Sequence, residues 1–203
     1  MKRAISMLAV GVTVLALALP ARASTSQVDM TDAFTFDPTP ISVALGDTVL
    51  WNNTTDFTNH TATQNAGFFN TGTVGGGGSA SKVFKFGGTF RYHCIFHGTA
   101  TSGMRGNIKV LIQWLNEGPQ HPGDVQRVRI ASEKAPDPLA IDVQMRMTGD
   151  DTWTPFKRRT KNAVVNFTPT DPGTYEFRSR LHRLSNNKVS GWSPATTVVI
   201  DPA

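Results

Sequence analysis

One cysteine, Cys94, in 203 residues excludes any disulfide within the chain. Beyond the first two dozen residues no stretch approaches the roughly 20 apolar residues that a membrane helix needs, so the mature protein is expected to have no membrane span. Dense Lys/Arg runs are missing, which removes the usual reason to expect a nucleic acid partner. No segment shows a helical stripe, and that argues against an α or α/β fold. A second group of clustered histidines is missing too, and with it the basis for a separate catalytic metal centre.

What is present begins with a leader. Lys2 and Arg3 precede a largely apolar run from Leu8 to Leu19, and Ala21-Arg22-Ala23 follows as a small-residue cleavage site. This predicts a signal peptide over residues 1–23, cleaved near Ala23, and a secreted or periplasmic product. Cys94 lies far from that point, so no lipid anchor on a new N-terminal cysteine is expected, and Lys2-Arg3 is not a twin-arginine signal. Cleavage removes Lys2, Arg3 and Arg22, so the charge balance moves from 20 basic against 15 acidic residues to 17 against 15. The cluster Lys157-Arg158-Arg159 is expected to be a solvated turn rather than a binding patch.

Extended segments alternate apolar with polar residues along the rest of the chain. Phe34-Thr35-Phe36, Ile41–Leu45, Thr48–Trp51, Val83–Phe86, Thr89–Cys94 and Ile108–Val110 lie in one half, with the glycine tract Gly75–Gly78 expected as a surface loop inside it. Val125–Ile130, Ile141–Met147, Val164–Phe167, Tyr175–Arg178 and Thr197–Ile200 lie in the other. Period-two alternation between Gly and Pro turns predicts an all-β chain of two antiparallel sandwiches. The expected division is a first domain over 24–112, an irregular connector over 113–123 and a second domain over 124–203.

The chemistry concentrates around the cysteine. Tyr92-His93-Cys94-Ile95-Phe96-His97 is followed by Met104, and His60 stands upstream in Asn59-His60-Thr61. Strand alternation puts Phe90, Tyr92 and Cys94 on one face and Arg91 and His93 on the other, so His93 is expected at the surface. Beyond Cys94 the chain is expected to leave the strand as a loop that returns His97 and Met104. A thiolate, two imidazoles and a thioether suit a mononuclear copper site, because soft sulfur favours Cu(I) and imidazole suits both oxidation states. Zinc fits less well, since neither its structural nor its catalytic sites use methionine. Met30, Met145 and Met147 sit in strand-like segments and are expected in the core; His121 falls in the connector with no cysteine near it.

The first half resembles the cupredoxins of the plastocyanin and pseudoazurin type. The likeness rests on Phe36-Asp37-Pro38, Gly46-Asp47-Thr48-Val49-Leu50-Trp51, His60-Thr61-Ala62-Thr63, Phe69-Asn70-Thr71-Gly72, Gly88–Cys94 and Met104–Val110, in the family's order. It implies a Greek-key sandwich in which His60, Cys94, His97 and Met104 bind one type 1 copper, with the edge of His97 as the port for electrons from a redox partner protein. Six residues separate His97 from Met104 where the plastocyanin pattern commonly has four, and Met104-Arg105-Gly106 still leads into the last strand. The second half resembles a fibronectin type III or immunoglobulin-like module through Thr152-Trp153-Thr154, Pro172-Gly173-Thr174-Tyr175 and Ser190-Gly191-Trp192-Ser193-Pro194. Tyr175 would be its corner tyrosine. Aligning Gly173–Phe177 with Gly88–Tyr92 sets Ser179 against Cys94 and His182 against His97, so the second domain is expected to hold no metal.

The expected function is that of an exported blue copper electron carrier rather than an enzyme. The alternative is a copper storage or delivery protein, or an interaction protein, whose C-terminal domain docks to a protein or polymer.

Overall fold

The computed structural model describes residues 23–202, and every regular element among them is a β strand. The leader expected over residues 1–23 lies, apart from Ala23, outside the described residues. No helix among the described residues is long and apolar enough to cross a membrane.

The strands of the first half are β1 (Thr25–Met30), β2 (Phe36–Asp37), β3 (Ile41–Val43), β4 (Thr48–Asn53), β5 (Thr63–Gln64), β6 (Ser79–Val83), β7 (Gly88–Gly98) and β8 (Gly103–Val110). They form two four-stranded sheets, ordered β2-β1-β4-β6 and β3-β8-β7-β5. Alternation decides which side chains face inward: Val49, Trp51 and Asn53 of β4 are buried while Thr48, Leu50 and Asn52 are only partly so. Facing them, β7 contributes Phe90, Tyr92 and Cys94, and β8 contributes Met104, Ile108 and Val110. Tyr92 packs against Trp51, Phe36 and Phe69. Gly106, paired across the sheet with Tyr92, is the residue that ring requires, since a Cβ there would lie 2.2 Å from the ring carbon that bears the hydroxyl.

Four local expectations need correction. The segment Val83–Phe86 is not a strand of its own: Val83 ends β6, and Phe86 makes only an isolated bridge to Ala131. The sandwich is not wholly antiparallel, because β1 runs parallel to β4 and β3 parallel to β8. Between β1 and β4 the chain crosses to the opposite sheet as β3, and that excursion restores the direction without a helix. Phe34 and Thr35 are not in a strand; Thr31 and Thr35 bond backbone to backbone and hydroxyl to hydroxyl, closing a turn. Finally, β7 does not end near Cys94 but continues through Gly98, with a register shift between His93 and Gly98.

The second half contains β9 (Gln113–Trp114), β10 (Gln126–Arg129), β11 (Leu139–Met147), β12 (Thr154–Thr160), β13 (Val164–Phe167), β14 (Gly173–Arg183), β15 (Lys188–Val189) and β16 (Thr196–Ile200). One sheet runs β13-β10-β9; the other runs β12-β11-β14, with β15 and β16 pairing along the far side of β14. Val128, Ile130, Ile141, Val143, Phe167, Phe177 and Val198 form the core between them. Tyr175 Oη donates to the Asp171 carbonyl at 3.0 Å. Within the expected connector Gln113–Trp114 is a strand, Lys157-Arg158-Arg159 lies in β12 rather than in a turn, and of the methionines expected in the core Met145 is only partly buried and Met147 is exposed.

The two halves are joined by hydrogen bonds and by shared apolar packing. Thr89 and Gly191 exchange backbone bonds of 2.9 Å in each direction, and the Thr89 hydroxyl donates to the Trp192 carbonyl at 2.6 Å. Gly87 N–H donates to the Ile130 carbonyl, and Leu181 of the second half is buried in the core of the first. A Cβ on Gly87 would meet Ile112 at 2.3 Å, so only glycine fits this junction.

Candidate metal centre

Three donor atoms converge at one end of the first sandwich. His60 and Cys94 are wholly buried and His97 is partly exposed. The Nδ1 atoms of His60 and His97 lie 3.1 Å apart, and Cys94 Sγ lies 3.8 Å from the first and 3.4 Å from the second. A first-row metal bound at about 2.0 Å to each nitrogen and about 2.3 Å to sulfur, with the donors spread evenly in a plane, would separate them by roughly 3.5 to 3.7 Å. The triangle therefore has the dimensions of a three-coordinate metal site.

Each side chain is placed by a different local device. Cys94 points inward by strand alternation on β7. The shift in register after His93 turns His97 back to the same side, which strict alternation would not. His60 is held by a two-way backbone bridge to Val74, and the loop before it is clasped by Asn53, whose Nδ2 donates to the carbonyls of Thr58 and Val74 at 2.8 Å each. Thr61 locks the two segments together: its N–H points at Cys94 Sγ at 3.4 Å, and its hydroxyl accepts the Ile95 N–H at 3.0 Å. Thr61 belongs to the His60-Thr61-Ala62-Thr63 motif, whereas Asn53 and Val74 carry no signal in the sequence for these roles.

Met104 is the second residue of β8 and is buried in the same apolar cluster as Cys94. The residues between His97 and Met104 form a hairpin: Gly98 pairs with Gly103, and Thr99 to Ser102 closes on itself through a 2.8 Å backbone bond and the Thr99 hydroxyl. Thr99 to Ser102 are thus taken up in an exposed tight turn away from the core. His93 is on the other face, with Nδ1 2.8 Å from the Asn65 side-chain oxygen. His182 lies in the second sandwich, between Asp142 and Asn187, and Ser179 is buried near the junction of the halves. His121 bonds the Pro202 carbonyl.

Burial, and next the neighbouring His97, lower the pKa of His60 below the usual imidazole value, with Asp32 opposing weakly. That favours the neutral imidazole a metal requires. On the solvent side Phe34 stacks on His97, with ring centroids 4.4 Å apart and planes 27° from parallel, and meets His60 edge-on at 6.3 Å. Phe34, Ile95 and Phe96 are about half exposed there.

No family model matches this chain. No curated protein matches it either. Among solved structures, a Cu-containing nitrite reductase from Thermus scotoductus SA-01 aligns with a TM-score of 0.33 and 16% identity, over 90% of this chain and 64% of that one. A likeness at that level supports no inference about function.

Proposed function

We propose that this chain is an exported type 1 copper protein of the cupredoxin kind that carries one electron at a time. The observation that carries this reading is the convergence of His60 Nδ1, Cys94 Sγ and His97 Nδ1 into a triangle of metal-site size. Thiolate and imidazole, with the thioether of Met104 as an axial donor from the adjoining strand, form a set that copper tolerates in both oxidation states. Copper bound there would supply the Cu(I)/Cu(II) couple. The protein's own contribution is rigidity: the Thr61 clasp and the Asn53-held loop fix the donors before metal arrives, so little rearranges on electron exchange. His97 with Phe34, Ile95 and Phe96 forms an apolar surface suited to a redox partner protein. No substrate is assigned, and the reading is of a carrier rather than an enzyme.

The visible and EPR spectra of copper-loaded protein test this. An intense thiolate charge-transfer band is expected for the Cu(II) form, and Cys94→Ser should abolish it; a Cu(II) complex of the unaltered chain without that band would contradict the reading. The attached second sandwich favours a second reading, in which copper is held for storage or delivery by a docked protein. Reversible voltammetry at a defined potential supports the carrier, whereas tight Cu(I) binding with sluggish electron exchange supports the store.

A further inference from the structure

Away from the metal centre, the densest chemistry lies on the outer face of the β12-β11-β14 sheet. Register sets Asp142 opposite Arg180, Gln144 opposite Arg178 and Arg146 opposite Glu176. Two tryptophans stand between the guanidiniums. Arg146 and Arg178 lie 4.6 and 4.2 Å from the Trp153 ring centroid, and Arg178 and Arg180 lie 4.9 and 4.5 Å from that of Trp192. The result is an alternating row: Arg146, Trp153, Arg178, Trp192, Arg180. Beside it, edge strand β12 exposes Lys157, Arg158 and Arg159 in succession. A cleft of about 250 Å³ opens between β12 and Trp192, with these three cations and Arg180 in its lining.

Three acids of this face are already engaged. Asp142 accepts from Arg180 Nε and the Arg159 N–H and lies 3.2 Å from His182 Nδ1; Glu176 accepts from Arg146, and Asp150 accepts the Met147 N–H. Burial lowers the Arg178 pKa, and the like charges of Arg146 and Arg180 lower it further. Stacking fixes the guanidiniums in place; Arg178 donates from Nε and Nη2 to Gln144 Oε1 at 2.9 and 2.7 Å, and Arg180 from Nε to Asp142, so Nη1 of Arg178 and the two terminal nitrogens of Arg180 are the groups presented with little entropy left to lose. Charging an exposed edge strand guards against strand-to-strand association, but that role does not require the cations to line the same cleft as Arg180 and Trp192.

We propose that this face binds an acidic polysaccharide. Carboxylates along the sugar chain meet the terminal N–H groups of Arg178 and Arg180, while one sugar unit enters the cleft beside Trp192. The cleft holds the volume of roughly eight waters, the scale of one sugar ring. The export expected from the leader would bring the chain among such polymers. The inference does not depend on the copper reading.

Retention of the full chain on immobilised polygalacturonate tests it, with neutral dextran as reference. Binding is expected to polygalacturonate alone and to weaken with salt. Lys157→Glu with Arg158→Glu, both on the exposed edge, should weaken it by at least about tenfold. Arg178→Lys keeps the charge but loses the fork, and should also weaken it. Lys109→Glu on the first sandwich should leave it unchanged. Equal loss from Lys109→Glu, binding only to nucleic acid or anionic phospholipid vesicles, or no retention at low salt would each overturn the proposal.

Discussion

Phe34 has φ at 55°, a backbone conformation that costs an aromatic residue about 1 kcal/mol or more. It is held there by the bonds between Thr31 and Thr35, and its ring shields the two histidines. Phe34→Ala is expected to speed copper removal by a small chelator several-fold while leaving the blue band in place, as stopped-flow absorbance would show. The meeting of His60, Cys94 and His97 was readable in the chain because few residue types bind soft metals and strand alternation separates Cys94 from His93. Phe34 and Asn53 were not readable. Each acts through partners that are distant in sequence, Phe34 on His97 and Asn53 on the Val74 carbonyl, and an isolated phenylalanine or asparagine carries no mark of such a partner.

Among the elements, β7 and β8 owe their close approach to Gly106 under the Tyr92 ring. Gly106→Ala should destabilise the first sandwich by about 2 to 3 kcal/mol, measured as a lower urea midpoint. In the second sandwich Asp142 plays the corresponding part for β11, β12 and β14. Burial alone would raise its pKa, but the Arg159 N–H, Arg180 and His182 together lower it below the ordinary carboxylate value. A depressed folded pKa contributes stability above the unfolded value near 4, and that contribution is lost as pH falls through the folded value. Asp142→Ala should therefore cost about 2 kcal/mol near neutral pH and progressively less in acid, as urea melts at several pH values would report. Strands such as β4 and β13 were legible from alternation. Two kinds of pairing were not. The parallel partners β1–β4 and β3–β8 depend on a crossing between sheets, and β12 carries successive cations and a left-handed Arg159 at a register shift, so no period-two pattern marks it.

At the scale of the whole molecule, Leu181 and the Thr89–Gly191 bridge tie the two cores together. One cooperative thermal transition is expected. Copper at about a thousand times its dissociation constant should stabilise the fold by about 4 kcal/mol. Chelation should reverse the shift, and calorimetry of apo and loaded protein would show whether both sandwiches move together. Strand β7 meets the second sandwich at Thr89 and carries His97 near its other end. Eight residues of extended chain span on the order of 25 Å. A copy held by its second sandwich would thus keep the end with His60, Cys94 and His97 clear of whatever holds it, able on the proposed reading to meet one partner after another without letting go.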